Sequence, residues 1–233
     1  MDRRIFDILV SGVGLLLLAV PLSVIMLLVW IEDRHSPFYS ATRAGIRGVP
    51  FQMIKIRSMV VNADKTGVES TSANDDRITA VGHFIRHWKI DELSQLWNVL
   101  KGDMSLVGPR PNTMAEVATY SVEELGLLVV RPGITDISSI VFSDEGDILK
   151  DSIDPHAEYL QFIRPWKSEF GLLYARNPSF LLNARLIWIT ALALIDKPKA
   201  LSALQPLLVS LRADLRLQVV SKRERDLRMY KVY

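Results

Sequence analysis

A stretch of 24 residues without a charged side chain, residues 8–31, constrains the fold of this chain more than any other feature. At about 1.5 Å of rise per residue, a helix of this length covers a bilayer core of roughly 30 Å. The stretch is too long for the apolar part of a signal peptide, and no small-x-small cleavage site follows it. The sequence therefore predicts an uncleaved helix that enters a membrane.

Pro21 and the flanking charges bear on whether this helix crosses the membrane. Pro21 removes a backbone donor inside the stretch, although most prolines in membrane helices only kink them. Cationic residues precede the stretch and also follow it: Arg3, Arg4, Arg34, Arg43, Arg47, Lys55 and Arg57. Positive charge on both flanks favours two cytoplasmic ends. A spanning helix and a re-entrant helix are equally compatible with these residues.

The remainder of the chain predicts an α+β fold, mostly helical with a small sheet. Residues 33–50 indicate a loop with turns, and residues 51–56 alternate in polarity as a short strand does. Apolar side chains recur at helical spacing over residues 83–100. Residues 179–195 indicate a second apolar helix, in the core or at a membrane interface. Arg131-Pro132-Gly133 has Pro and Gly at the positions that a type II turn prefers.

Three regions follow from this pattern: a membrane helix at 1–32, a globular domain at 33–198, where any catalytic site would lie, and a basic tail at 199–233. The polar stretch at 62–76 predicts a loop within the second region. The tail mixes Leu and Val with arginine and lysine. This pattern suits an amphipathic helix on an anionic membrane surface, and a solvated basic face explains it equally well.

Charge, cysteine content and missing motifs exclude several classes of protein. Lys+Arg 28 against Asp+Glu 26 leaves a net charge of +2, which argues against a nucleic-acid binder. The chain has no cysteine, which excludes disulfides, thiolate catalysis and zinc–sulfur sites. There is no P-loop, no Gly-x-Ser-x-Gly elbow and no Gly-x-Gly-x-x-Gly after a strand.

The densest block of polar residues begins with Asp91 and Glu92. An acidic pair at a helix start is common, because it caps the helix and complements its dipole. Arg110 lies between two prolines, which would present its planar guanidinium to a phosphate at low ordering cost, or simply form a surface turn. Further candidate partners for a diphosphate, each also explicable as a solvated charge, are Lys55, Arg57, Arg86 and Lys101.

Residues 91–111, which read DELSQLWNVLKGDMSLVGPRP, closely resemble the signature of the bacterial sugar transferase family, the monotopic phosphoglycosyl transferases. Similar matches occur at Arg3–Asp7, Lys55–Met59, Arg77–Arg86 and Val130–Thr135. Together they cover most of residues 1–195. The resemblance implies a re-entrant N-terminal helix, broken at a proline, that seats the enzyme on the cytoplasmic face of the bacterial inner membrane.

The resemblance also implies the chemistry. Asp91 would be the nucleophile and Glu92 the ligand of Mg²⁺, with a UDP-sugar as donor and polyprenyl phosphate as acceptor. Attack by Asp91 would release UMP and leave a phosphosugar on the enzyme, which the acceptor then takes up to start a cell-surface glycan. An ionised carboxylate needs no base for this attack. Arg110 would lie on the nucleotide side of the pocket.

Two departures from the family pattern matter. Val20 precedes Pro21, where relatives often have a serine that helps to satisfy freed carbonyls. After Thr135 the family usually continues Gly-Trp-Ala-Gln-Val-Asn-Gly-Arg, and the arginine thought to contact substrate phosphate has no counterpart in this chain. Arg131 and Arg164 are the candidates to replace it.

Two alternatives to this function stay open. The chain could be a non-catalytic, membrane-docked scaffold of a glycan assembly complex that retains the fold, or an enzyme that transfers a sugar without its phosphate. The sugar, the polymer and the oligomeric state, a homo-oligomer included, do not follow from the sequence.

Overall fold

A computed structural model of the chain describes residues 3–63 and 75–230, and 61% of these residues are helical. The predicted loop at 62–76 lies mostly outside the described residues. The mostly helical fold with a small sheet is confirmed. The first elements in chain order are α1 (Arg3–Asp33), β1 (Phe38–Ala44), a 3₁₀ turn (Ile46–Gly48), β2 (Pro50–Ile56), α2 (Ala80–His87), α3 (Ile90–Leu93), α4 (Leu96–Lys101), β3 (Ser105–Val107) and α5 (Met114–Val117).

In the second half of the chain, up to residue 230, the helices are accompanied by one short strand. It contains a 3₁₀ segment (Glu124–Val129), β4 (Gly133–Thr135), α6 (Ile137–Val141), α7 (Glu145–Ile148), α8 (Pro155–Glu158), a π-helical turn (Tyr159–Ile163), α9 (Arg164–Arg176), α10 (Phe180–Ala193), α11 (Lys197–Ser210), α12 (Leu215–Ser221) and a 3₁₀ turn (Leu227–Met229). The apolar helix predicted at 179–195 is α10. Its N-terminus is capped by Ser179, whose hydroxyl accepts a hydrogen bond from the Leu182 amide.

The helix α1 is long and apolar enough to cross a membrane by length and composition. Its outer face is strongly exposed at Leu16, Leu17 and Val20, at 81%, 73% and 74%. The helix is continuous with Pro21 inside it, so the break implied by the resemblance stays a prediction. Two residues after Pro21, the Ser23 hydroxyl donates to the Ala19 carbonyl at 2.8 Å. A serine therefore makes a local hydrogen bond beside the proline, although position 20 has none.

The start of α1 is fastened to the rest of the molecule. The Arg4 guanidinium donates to the carbonyls of Val99 and Leu100 at 2.5 and 2.7 Å. The buried Asp7 carboxylate accepts from the Ser105 hydroxyl at 2.8 Å and from the Leu106 amide at 3.2 Å. These bonds join the first turns of α1 to α4 and β3.

The end of α1 is fastened to the same body. The Asp33 carboxylate accepts two hydrogen bonds from the Arg57 guanidinium, at 2.6 and 2.7 Å. The Glu32 carboxylate accepts from the Val81 amide at 3.3 Å. Both ends of the apolar helix thus contact one globular unit, the first at α4 and β3, the second at β2 and α2.

Among the described residues, four short strands form two separate ladders. β1 and β2 pair antiparallel, with Ser40 opposite Ile54, and β3 pairs with β4 in parallel. The strand predicted at 51–56 is β2. The prediction of a loop over all of 33–50 is wrong, because 38–44 forms β1, whose outer face is polar and exposed. Its backbone pairs with β2, and its last residue, Ala44, donates to the Asn112 carbonyl, so β1 depends on tertiary contacts.

The free edge of β2 is covered by the segment that carries the acidic pair. The buried Asn98 side chain accepts from the Ile54 amide at 3.0 Å and donates to the Gln52 carbonyl at 2.7 Å. The Ser94 hydroxyl donates to the Ile54 carbonyl at 3.2 Å. Asn98 therefore acts as one residue of an added strand and fixes α3 and α4 against β2.

Replacing this amide tests how strongly the edge contact holds the fold. We expect Asn98→Leu to destabilise the protein by about 2–4 kcal/mol, because two backbone groups of β2 lose their partners. In detergent the Tm should fall by roughly 5–12 °C. Gln52→Leu is the matched control on the same strand, since its side chain bonds exposed hydroxyls of β1, and it should shift the Tm by about 2 °C or less. Equal shifts for both variants would contradict this role.

The single helix predicted over 83–100 is wrong. The segment breaks into α2, α3 and α4, and Lys89 between the first two has φ 56°, in the left-handed region. This conformation costs a non-glycine residue about 1 kcal/mol or more, so surrounding contacts must impose it. Gly102 ends α4 with φ 96°, a left-handed conformation that glycine adopts without steric cost. Hydrophobic spacing carries no sign of the break, because apolar side chains continue at helical intervals on both sides of it.

The type II turn predicted at Pro132-Gly133 is also wrong. Gly133 is not among the residues with positive φ, and it begins β4. A glycine is required there for a different reason: a Cβ at Gly133 would lie 2.0 Å from the backbone nitrogen of Gly108. The parallel ladder of β3 and β4 brings these two backbones together, which a local turn rule does not consider.

The tail predicted at 199–233 folds onto the body over its described residues. Leu204, Leu208, Leu217 and Val220 belong to the same hydrophobic core as Trp166 of α9. The apolar half of the predicted amphipathic pattern is therefore occupied by packing against the domain. Whether its basic half also meets a membrane stays a prediction.

Candidate active site

The site is built around Asp91, in the first turn of α3. Asp91 is only 8% exposed, and its carboxylate lies 3.3 Å from the Lys55 ammonium of β2. The predicted role of Asp91 as a helix cap is wrong, because the cap position is Lys89 and the Asp91 carboxylate points to Lys55 instead. The docking of α3 on the edge of β2 brings these two side chains together across 36 residues of sequence.

Glu92, the next residue, faces a second cation. Its two carboxylate oxygens accept from the Arg110 guanidinium at 2.6 and 3.0 Å, and one of them lies 3.8 Å from the Lys55 ammonium. Arg110 also donates to the Ile134 carbonyl at 3.0 Å, which ties the site to β4. Two carboxylates and two cations therefore form one cluster, with Lys55 between the acids.

The charged groups in this cluster shift one another's pKa values. Burial raises the pKa of Glu92, but the charges of Arg110 and Lys55 outweigh it and hold that pKa well below its usual range. In return, the charge of Glu92 raises the pKa of Arg110 above its usual range. The two cations thus favour the ionised form of Glu92, which is the form that can act as an anionic ligand.

Lys89 is a cation of the site that the sequence analysis missed. Burial lowers the pKa of Lys89, and the charge of Glu92 opposes this fall. It precedes Asp91 by two residues, and the left-handed backbone at Lys89 sets the direction from which α3 begins. A lysine within a polar stretch of sequence does not indicate burial or a left-handed backbone, so no sequence signal would have identified Lys89.

Asp136 is the second missed residue, at the point where the chain departs from the family pattern. It is 1% exposed and caps α6, accepting from the Ser139 amide at 2.7 Å and from the hydroxyls of Ser138 and Ser139 at 2.8 Å. Burial raises the pKa of Asp136 despite these bonds, and the charge of Arg110 opposes the rise. The motif Asp-x-Ser-Ser was a readable capping signal.

The structure brings Lys55 and Arg110 to the acidic pair, whereas three of the other predicted substrate contacts have partners elsewhere and Arg86 lies near Asp75. Arg57 binds Asp33, Lys101 lies 3.0 Å from Asp103, and Arg131 donates to the Gly102 carbonyl at 3.0 Å. Hydrogen bonds from Arg77 lower the pKa of Asp75, and the charge of Arg86 adds to this effect. These residues lie outside the cluster of Asp91 and Glu92, and Arg57 among them attaches the end of α1 to the domain.

Arg164, a candidate for the missing family arginine, is engaged by acids. Its guanidinium lies 3.2 Å from Glu124 and 3.8 Å from Glu116, and it stacks 5.7 Å from the ring centre of Tyr120. Two carboxylates neutralise its charge. Arg110 is the arginine that the structure places against the acidic pair.

The acidic pair also fits a divalent cation shared with a substrate. Within residues 3–63 and 75–230, no group of three or more His, Cys, Asp or Glu side chains is placed to hold a metal ion. Mg²⁺ commonly binds through one or two carboxylates together with substrate phosphates and water. Asp91 and Glu92 supply such a donor set, although Arg110 engages both oxygens of Glu92 and would have to release at least one.

The sequence of this chain is similar to those of known proteins. A sequence profile of the family described as bacterial sugar transferase matches residues 1–197. Over 188 residues the chain is 34% identical to a UDP-glucose:undecaprenyl-phosphate glucose-1-phosphate transferase of Caulobacter vibrioides, covering 78% of this chain and 70% of that protein. An Escherichia coli protein with the same description is 35% identical over 175 residues, which are 73% of this chain and 38% of that one.

A third relative is described by a different sugar. It is a UDP-galactose-lipid carrier transferase of Erwinia amylovora, 38% identical over 150 residues, which are 58% of this chain and 31% of that protein. The chain thus spans less than half of the length of two of these three relatives. All three descriptions name a UDP-sugar. It is UDP-glucose in the first two and UDP-galactose in the third.

Proposed function

The chain belongs to the bacterial sugar transferase family, and from this premise we propose that it transfers a sugar 1-phosphate from a UDP-sugar to polyprenyl phosphate. The observation that carries the proposal is the cluster at Asp91: a nearly buried carboxylate beside Lys55, next to a second carboxylate that is held by Arg110. This arrangement combines an anionic nucleophile with cations for a diphosphate, in a family that acts at membranes.

In the first half-reaction, a carboxylate oxygen of Asp91 attacks the phosphorus that bears the sugar. A new bond forms between Asp91 and phosphorus, and the bond from that phosphorus to the bridging oxygen breaks. UMP leaves with the electron pair, so the sugar phosphate remains on Asp91. Lys55 orients the carboxylate and offsets the repulsion between it and the diphosphate, and Arg110 offers a planar guanidinium to the phosphates.

In the second half-reaction, a phosphate oxygen of the polyprenyl phosphate attacks the same phosphorus, and Asp91 leaves as a carboxylate. The product is a polyprenyl diphosphate sugar, the first intermediate of a surface glycan. The lipid acceptor reaches the site along the membrane in which α1 lies. Contacts at both ends of α1 with one globular unit support a re-entrant helix and a domain on the cytoplasmic face of the inner membrane.

Glu92, with Asp91 beside it, would hold Mg²⁺ in this proposal. When bound, the ion neutralises charge on the diphosphate and favours departure of UMP. The chain's own part is to keep Glu92 ionised, which Arg110 and Lys55 do by their charges. Arg110 then passes from Glu92 to a phosphate as the donor binds.

The experiment that tests the function measures which nucleotide is released. Purified protein is incubated with Mg²⁺, undecaprenyl phosphate and a panel of UDP-sugars that includes UDP-glucose and UDP-galactose. We expect UMP from at least one donor. Release of UDP would instead indicate transfer of the sugar alone, and no release with any donor would favour the non-catalytic scaffold. The intact cluster of Asp91, Glu92 and Arg110 favours the enzyme over the scaffold.

The re-entrant helix is tested by thiol labelling, for which a chain without cysteine is well suited. Single cysteines replace Asp2 and Ser36, on either side of α1. A re-entrant helix predicts that a membrane-impermeant reagent labels neither cysteine in intact cells and labels both after permeabilisation. Labelling of either position from outside would contradict this topology.

A further inference from the structure

Asp144 lies between α6 and α7 and is held by two cations from the C-terminal part of the chain. The Lys197 ammonium, at the start of α11, lies 2.5 Å from its carboxylate, and the Arg223 guanidinium, after α12, lies 3.7 Å from it. Arg223 also covers the ring of Phe142 at 5.6 Å. The two cations are 23% and 15% exposed, so this ion cluster is largely shielded from water.

The family match ends at Lys197, so Arg223 and most of the helices that carry this cluster lie beyond it. Their apolar residues nonetheless join the core beside α6, where Leu204 and Leu208 pack with Ile140 and Val141. Arg223 adopts the left-handed conformation with φ 56°, which a non-glycine residue holds only when its surroundings require it. The contact is therefore built into the fold.

The segment that these cations hold is the one that departs from the family pattern and borders the active site. It starts at Asp136, directly after β4, whose Ile134 carbonyl accepts from Arg110. It continues through α6 to Glu145, which contacts Lys167 of α9. The negative charges of Asp136 and Glu145 both act on Arg110 and raise its pKa, after the larger effect of Glu92.

Charge explains why this segment needs cations beside it. Two of its carboxylates, Asp144 and Glu145, are adjacent in the chain, and Asp147 follows just beyond the segment. An acidic segment beside a site for a diphosphate repels the donor, and unpaired carboxylates would move towards Arg110 and compete for it. Lys197 and Arg223 bind Asp144, and Lys167 neutralises Glu145.

We propose that Lys197 and Arg223 are positioning residues for donor binding: they fix Asp144, and with it the segment 136–145, so that no carboxylate of this segment competes with the donor's diphosphate for Arg110. The inference rests on the proposed function and deepens it. It assigns to the C-terminal region, beyond the family match, a part in the affinity for UDP-sugars.

The test compares the full-length double variant Lys197→Met, Arg223→Met with the wild type. Methionine keeps much of each side chain's volume and removes its charge. We expect the KM for the UDP-sugar to rise roughly tenfold, with kcat changed less than about threefold and the KM for undecaprenyl phosphate unchanged. Without substrates, hydrogen exchange of the amides at 136–148 should become faster in the double variant.

Lys199→Met is the matched control. It removes the same charge from the same helix, but Lys199 is 76% exposed and pairs with Asp196, a neighbour in sequence, so both readouts should match the wild type. A second double variant, Lys197→Met with Arg223→Lys, keeps a positive charge at position 223. It should recover most of the affinity for the UDP-sugar that the double methionine variant loses.

Three outcomes would overturn the proposal: an unchanged KM for the donor, an equal loss for donor and acceptor, or a fall in kcat that accompanies faster exchange over the whole chain. A wild type that released no UMP from any donor would instead refute the proposed function. The exchange measurement would in that case still decide whether the two cations hold the segment.

Discussion

Asp91→Asn is expected to reduce UMP release by about 10³-fold or more, because an amide cannot form the bond to phosphorus on which the proposed mechanism depends. The substitution keeps the size of the side chain, and the new amide can still contact Lys55 through its carbonyl oxygen. In the absence of acceptor, the wild type should gain the mass of one sugar phosphate on incubation with a donor, as measured by mass spectrometry of the intact protein. The variant should gain none.

Asp103→Asn is the control for this experiment. Asp103 also pairs with a lysine, Lys101, but its carboxylate lies outside the cluster of Asp91 and Glu92. Its variant should keep turnover within a few-fold of the wild type and should form the same adduct. Full turnover by Asp91→Asn, with the protein folded as judged by its Tm, would show that the covalent mechanism is wrong.

Glu92→Gln is expected to lower turnover by about 100-fold and to weaken binding of a divalent cation by at least about tenfold, since a neutral amide is a poorer ligand than a carboxylate. Mn²⁺ binding in the presence of UDP, followed by electron paramagnetic resonance, measures the second effect without turnover. If Glu92→Gln bound Mn²⁺ as tightly as the wild type, Glu92 would not be the metal ligand.

Arg110→Met separates the two partners of this ion pair. It leaves the Glu92 carboxylate in place and removes the guanidinium that competes with a metal ion for it, because Arg110 engages both carboxylate oxygens. We expect Mn²⁺ to bind at least as tightly as in the wild type, while the KM for the UDP-sugar rises about tenfold or more. Loss of Mn²⁺ binding in this variant would mean that Arg110 organises the metal site rather than the donor site.

The part of the site that the sequence predicted lies in one contiguous motif. Asp91, Glu92 and Arg110 fall within 21 residues that resemble the family signature, and the structure places all three in one cluster. Lys55 was a candidate only as one of several cations. Its selection required the docking of α3 on β2, which Asn98 and Ser94 secure.

The four other predicted substrate contacts show why charge alone does not identify a site. Arg57, Arg86, Lys101 and Arg131 have the same chemistry as Lys55 and Arg110, but the structure gives three of them nearby carboxylate or carbonyl partners and places Arg86 near Asp75. An arginine satisfies whichever acceptor the fold brings within reach, and that acceptor is often distant in sequence. Asp33, the partner of Arg57, lies at the far end of the membrane helix.

The uncharged stretch at 8–31 by itself determined that this chain has a long apolar helix, because water cannot solvate so many apolar side chains at acceptable cost. The apolar stretch at 179–195 likewise determined α10, and the motif at 91–111 determined the family. Only the tertiary structure decided that both ends of the helix contact one body, that the segment 83–100 breaks at Lys89, and that the C-terminal helices complete the core. Each of these depends on contacts between residues far apart in sequence, which no local pattern encodes.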